Sequence, residues 1–186
     1  QRRIEIAVFD GRAAGNRWML PAGPLREPLK RLSTVSAVVW NSLPDAPDKT
    51  QGALSHPAQF AMRLEATGFV SLNDAERFCS AEDLRGRRVY AIAGIGDPSR
   101  FFNQLTAMGL TFDAHAFPDH HAYCADDLSF ASDGVLLMTE KDAVKCAALH
   151  LPDAWVLPVE AQLMASADGR SLLQIILEKL NGCTPA

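Results

Sequence analysis

Apolar and polar positions along this chain predict short strands separated by loops and helices. Residues 4–10 are apolar and β-branched with a polar end, the pattern of a strand buried on at least one face. Residues 11–23 read as loop, 25–32 as a short helix starting near Pro24 or Pro28, and 35–41 as a second strand. Residues 42–57 are polar and proline-rich, a loop or linker. Phe60, Met62 and Leu64 alternate with Arg63 and Glu65, which predicts one long, partly exposed strand over 60–72. After a turn at 84–88, strands are expected at 89–93, 111–117, 134–138 and 155–159. Between them lie helices at about 98–108, 126–131 and 139–149, and an amphipathic helix closes the chain at 171–180. Asp97 and Pro98 suit the N-cap and first turn of the helix at 98–108, and Gly109 suits its stop. Thr139 and Asp142 match a capping pattern.

Strand and helix alternate from about 88 to 160, which implies a parallel sheet with right-handed crossovers. Residues 1–60 read as the end of a different α/β unit. With 186 residues, the chain suffices for one or two domains with a real core. No apolar run approaches the ~18–20 residues needed to cross a bilayer. Gln1 stands where Met would open a complete protein, and the chain is expected to be a piece of something longer. Cys79, Cys124, Cys146 and Cys183 form no C-x-x-C pair, so reduced cytosolic thiols are expected.

Net charge is −4, but its distribution is uneven. Residues 1–31 carry seven Arg and Lys against three Asp and Glu, and the rest carries eleven against nineteen. A basic segment on an acidic body suits an anionic ligand or an anionic membrane face rather than nucleic acid, and a solvated surface remains the alternative.

Three of the five histidines fall in 112–127. Pro118 bars helix through the preceding residue, so His120 and His121 are placed on a loop at a strand end, where open α/β sheets bind ligands. Asp119 beside His120 can set the imidazole's tautomer and charge, making a general acid/base or a charged clamp. Binding of a metal by His115, His120 and His121 has no specific spacing behind it. Pro21, Gly23 and Pro24 stiffen the loop before Arg26 and Glu27, and a fixed guanidinium suits phosphate or carboxylate; an Arg–Glu surface pair is the alternative. Gly94-Ile95-Gly96 is read as a tight turn rather than a dinucleotide fingerprint, because Ser99 stands where the third glycine would be. The stretch 139–145 is read as a helix start with capping and solvated charge.

Taken together, G-N-R-W-M-L-P-A-G-P-L-R-E at 15–27, A-I-A-G-I-G-D-P-S-R-F-F at 91–102, F-P-D-H-H-A-Y at 117–123, M-T-E-K-D-A-V-K-C at 138–146 and L-P-V-E-A-Q-L at 157–163 closely resemble the tetraacyldisaccharide 4'-kinase family of lipid A synthesis. The resemblance implies transfer of the ATP γ-phosphate, with Mg²⁺, to the 4'-hydroxyl of a lipid A disaccharide 1-phosphate. It implies an α/β fold: the end of a P-loop kinase-type parallel sheet plus a smaller Rossmann-like domain. The implied organisation is 1–59 as the carboxyl part of the kinase domain, 60–72 and 154–164 as a two-stranded hinge linker, 73–153 as the small domain and 165–186 as a terminal helix. It further implies a monomer bound peripherally at the cytoplasmic face of the bacterial inner membrane, touching its anionic leaflet.

Carried over by position, His120 matches the motif histidine thought to assist the catalytic carboxylate of the kinase core, and Asp119 precedes it. Arg26 and Glu27 match the substrate- and phosphate-facing pair. His121 and Tyr123 rank below them. No metal ligand is assigned. Three departures matter. No G-K-T or G-K-S phosphate loop and no D-D-G-x-Q stretch occurs in these residues, so the chain alone is expected to lack kinase activity and its nucleotide-contacting residues are not assigned. Arg17 stands where the family often has Gly, which bears on loop flexibility. Cys124 stands where Thr or Ser often caps a helix, which is expected to weaken the cap by up to ~1 kcal/mol. Trp18, Met19 and Leu20 beside Arg17 suit acyl chains or the membrane interface, with burial of Trp18 in the core as the alternative. Two rivals are a metal-dependent phosphoesterase, prompted by Asp119-His120-His121, and a non-catalytic α/β ligand-binding module.

Overall fold

A computed structural model describes residues 4–9, 15–41, 56–166 and 168–182. The expected linker at 42–57 lies mostly outside the described residues. The chain divides into two compact units, Gln1–Glu65 with Glu160–Ala186, and Ala66–Val159.

The first unit holds β1 (Ile6–Phe9), β2 (Ala37–Asn41), β3 (Gln59–Glu65) and β10 (Glu160–Leu163) in the order β1-β2-β3-β10. β1, β2 and β3 are parallel, and β10 runs antiparallel to β3 with Glu160 opposite Glu65. β2 is buried from Ala37 to Trp40, as the inner strand of a covered sheet should be. Helix α3 (Leu172–Asn181) sets Leu172 and Ile175 against Ala37, Val39 and Phe60. Its start is a reciprocal capping box between Ser171 and Gln174, and Gly182 ends it at φ 70°. The helix expected at 25–32 is instead a 3₁₀ turn over Leu29–Thr34, entered from the extended Pro28.

The second unit holds β4 (Phe69–Ser71), β5 (Phe78–Cys79), β6 (Val89–Ala93), β7 (Asp113–Ala116), β8 (Val135–Thr139) and β9 (Ala154–Leu157). Their order is β5-β4-β9-β8-β6-β7. β7, β6, β8 and β9 are parallel, and β4 and β5 add an antiparallel margin. Alternate side chains of β6 and β8 enter two cores. Val89, Ala91, Ala93, Val135 and Leu137 pack with Phe101 and Leu105 of α1 (Pro98–Ala107) on one face. Tyr90, Ile92, Leu136 and Met138 pack with Leu128 and with Cys146 of α2 (Glu140–Cys146) on the other. Burial on both faces explains why these strands read as continuous apolar runs.

The single strand expected over 60–72 is two strands. β3 ends at Glu65, β4 begins at Phe69, and each belongs to a different sheet. At the bend, a Cβ on Gly68 would stand 3.0 Å from the Cys79 carbonyl oxygen, so the close pairing of β4 with β5 favours glycine there. The helix expected to reach 149 ends at Cys146, and the segment at 126–131 is 3₁₀ rather than α.

Candidate functional site

In the second unit, β6 is flanked by β7 on one side and β8 on the other, so the crossovers that follow β6 and β7 leave in opposite directions. This is a topological switch point, where a crevice opens beyond the carboxyl ends of the strands. Three loops that carry chemistry meet there: 94–97 after β6, 117–123 after β7, and the start of α2 after β8.

The base of the site is a buried polar cluster. Asp142 is fully buried; its Oδ2 accepts from the Gly94 amide (3.1 Å) and from Thr139 Oγ1 (2.8 Å). Lys145 donates to Asp142 Oδ1 (2.9 Å) and to the Gly94 carbonyl (3.0 Å). The βα turn is therefore gripped at both its N–H and its C=O by α2. A Cβ on Gly94 would stand 2.7 Å from Tyr123 Oη and 3.2 Å from Asp142 Oδ1, so any larger residue would have to displace the Tyr123 ring. The Tyr123 hydroxyl is buried beside Asp142 without a hydrogen bond among the described residues. Burial, then the Asp142 charge, raises its pKa well above the ordinary phenol value.

Above this base sit Asp119 and His120. Asp119 Oδ1 accepts from Lys141 Nζ and from the His120 amide, each at 3.0 Å, and Asp119 Oδ2 is 3.6 Å from His120 Nε2. The Lys141 ammonium is the main cause that holds the Asp119 carboxyl below the usual carboxylate range. His120 takes φ 62°, a conformation non-glycine residues seldom adopt, and its side chain is 78% exposed. The other histidines have different employment. His121 Nε2 lies 3.1 Å from Asp127 Oδ2, with its ring against Phe117 and Tyr123. His115 stacks on Phe130 at 3.8 Å between ring centroids. The three imidazoles thus do not converge, and among the described residues no group of three or more His, Cys, Asp or Glu is placed to hold a metal ion.

Two capping expectations change. Asp97 sits at the N-cap of α1, but its carboxylate accepts from Ser99 Oγ (2.5 Å) and makes no cap bond. At Cys124, the loop amide is satisfied by Asp127: Cys124 N donates to Asp127 Oδ2 (2.9 Å), and the Cys124 thiol lies 3.2 Å from the same oxygen. Residue 124 therefore contributes a donor rather than an N-cap acceptor.

Arg26 and Glu27 belong to the first unit. Their loop is pinned by Asn16, which donates to the Ala22 carbonyl (2.9 Å) and accepts from the Trp18 amide (3.1 Å). Gly23 is required, since a Cβ there would stand 2.2 Å from Asn16 Oδ1 and 2.3 Å from the Trp18 carbonyl oxygen. Arg17 adopts φ 65°, the left-handed region that favours glycine. Glu27 pairs with Arg31 (3.2 Å), not with Arg26, and Arg31 also meets Glu5. Arg26 and Glu27 line an open groove of about 670 Å³ beside β1. Trp18 is 66% exposed, so it is not a core residue of this unit.

Sequence reasoning placed Asp119 and His120 together and missed Lys141, Asp142 and Lys145. The available signal was Asp142 with Lys145 at i and i+3, directly after a fully apolar strand.

A parallel α/β unit with strand-end loops converging on a switch point defines an α/β protein whose candidate site lies at the carboxyl edge of its sheet. The chain belongs to the tetraacyldisaccharide-1-P 4'-kinase family, whose model matches residues 1–181. It is 49% identical over 182 residues to a tetraacyldisaccharide 4'-kinase of Dechloromonas aromatica, covering 97% of this chain and 52% of the relative. It is 48% identical over 186 residues to one of Azoarcus sp., covering 100% and 52%. The chain thus spans about half the length of the curated relatives it matches. A crystal structure of LpxK from Aquifex aeolicus, described as in complex with ATP, has the same fold at TM-score 0.69 and 23% identity, over 96% of this chain and 53% of that one. Among the described residues, no helix is long and apolar enough to cross a membrane.

Proposed function

We propose that this chain serves an ATP-dependent kinase that phosphorylates the 4'-hydroxyl of a tetraacyldisaccharide 1-phosphate in lipid A synthesis. The observation that carries the reading is the family match over 1–181, joined to the convergence of three of its motifs, at 91–102, 117–123 and 138–146, at one switch point. Phosphoryl transfer relies on positioning and on electrostatic stabilisation of the transferring group. In this reading His120 is a catalytic residue that presents an exposed imidazole to the reacting groups. Asp119 sets the tautomer and charge of that imidazole. Arg26 supplies a guanidinium for a phosphate, and Glu27, with its loop held by Arg31, faces the substrate. Mg²⁺ would neutralise charge on the phosphates; among the described residues no cluster of three or more His, Cys, Asp or Glu is placed to hold it, and no residue of this chain is assigned to it.

The regions 60–72 and 154–164 act as a hinge linker, a reading supported by the chain passing between units after Glu65 and after Val159. The kinase works as a monomer at the cytoplasmic face of the inner membrane. Exposed Trp18, Met19 and Leu20 beside Arg17 support contact with acyl chains or an anionic leaflet. The test is an assay of the full-length protein containing these residues, with ATP and lipid A disaccharide 1-phosphate, reading the product by mass. ATP-dependent gain of one phosphate at the 4'-position is expected, and none from residues 1–186 alone. A folded full-length protein that forms no such product contradicts the reading.

A further inference from the structure

The helix start at 139–145 reads in sequence as capping and solvated charge, and the kinase reading uses none of it. In the structure its polar side chains, apart from Glu140, which accepts from the Val159 amide, are committed to the loops after β6 and β7. Thr139, Asp142 and Lys145 form the buried clasp on Gly94. Lys141 points the other way, to Asp119.

We propose that Lys141 is a positioning residue of this site: its ammonium anchors the Asp119 carboxylate to the start of α2, and Asp119 in turn holds His120. The inference rests on reading Asp119 and His120 as site residues of the proposed kinase. It stands on four observations. Both oxygens of Asp119 are engaged, Oδ1 by Lys141 Nζ and the His120 amide, Oδ2 facing the His120 imidazole at 3.6 Å. His120 has a backbone φ of 62°, which its amide bond to Asp119 helps to hold, and such conformations concentrate at functional sites. Asp119 also lies against the β6 turn, since a Cβ on Gly96 would stand 3.7 Å from its Oδ2. Lys141 is immobilised at its root, because the next residue, Asp142, is fully buried and bonded to that same turn.

Stability does not account for the pair. Lys141 and Asp119 side chains are 47% and 43% exposed, and exposed ion pairs contribute little. What the pair provides is orientation: a lysine on a fixed helix start sets where a carboxylate, and then an imidazole, can stand. The other charged groups here are Asp97 and Arg100 after β6, Asp127 beside His121, and Glu140 and Asp142 with Lys145 on α2. Direct contact of Asp119 with Lys141 explains why its carboxyl is held low.

The experiment compares Lys141→Met and Lys141→Arg in the full-length protein. NMR follows titration of the Asp119 carboxyl and the ring resonances of His120, and steady-state kinetics follow phosphorylation. In Lys141→Met, Asp119 should titrate higher, near an ordinary carboxylate. The His120 ring resonances should shift, because its carboxylate neighbour is no longer anchored. Turnover should fall about tenfold with the KM for ATP little changed, as for a misplaced catalytic group. Lys141→Arg should restore most of both. An unmoved Asp119 titration in Lys141→Met, unmoved His120 resonances, or full turnover in it, would overturn the proposal. A wild-type protein inactive on the lipid would count against the kinase reading alone, and the Asp119 titration with the His120 resonances would still decide the role of Lys141.

Discussion

His120 differs from its neighbours by what it touches. His115 is spent on stacking and His121 on a carboxylate, whereas His120 stands in solvent with a strained φ and an aspartate at its base. The sequence made Asp119 and His120 legible, because Pro118 forces a loop just before them. It did not reveal which of two adjacent imidazoles faces outward, since that depends on Phe117, Tyr123 and Asp127 closing around His121. Asp127 has a testable consequence. The Cys124 amide, then the His121 ring, hold its carboxyl below the ordinary value. A carboxyl lowered in the folded state contributes stability above the unfolded pKa of about 3.9, and this is lost as pH falls through the lower folded value. Asp127→Asn should therefore lower the melting temperature near neutral pH, with the gap to wild type narrowing below about pH 4. A gap that stays constant across acid pH would count against this account.

At the scale of elements, α2 is the member whose weight was least visible. Thr139 and Asp142 fit a capping pattern, and half of it forms: Thr139 Oγ1 accepts from the Asp142 amide. The Asp142 carboxylate accepts from the Thr139 hydroxyl at the helix start and also crosses to the Gly94 amide, a long-range choice no local pattern encodes. Removing one partner of a buried ion pair leaves the other uncompensated, so Asp142→Ala should cost about 3 kcal/mol in chemical denaturation. Leu137→Ala, at a fully buried position of β8, should cost about 2–5 kcal/mol through the cavity it leaves. Val144→Ala, at an 80% exposed position of the same helix, should change stability by no more than about 0.5 kcal/mol. If Asp142→Ala behaved like Val144→Ala, α2 would not be the clasp described here. The break within 60–72 was hidden for a related reason. Phe60 and Phe69 are both buried, and apolar alternation records burial without recording which sheet provides it.

At the scale of the molecule, the parallel α/β order from β6 to β9 was legible, because strands covered on both faces leave apolar runs punctuated by Pro98, Gly109, Pro118 and Gly134. The return of β10 to β3 left no mark in the apolar pattern, since that pairing joins residues far apart in sequence; only the resemblance, with its two-stranded linker over 60–72 and 154–164, pointed to it. Arg26 and Glu27 lie in one unit and Asp119 and His120 in the other, so the proposed chemistry is a property of the whole enzyme, of whose curated relatives this chain spans about half. The measurement that bears most directly on the central claim is turnover of the full-length protein on lipid A disaccharide 1-phosphate with His120→Ala, against wild type. A fall in kcat of about 10²-fold or more, with folding intact, is the predicted result for a residue acting on the reacting groups. Unchanged turnover would make the loop after β7 structural and contradict the account.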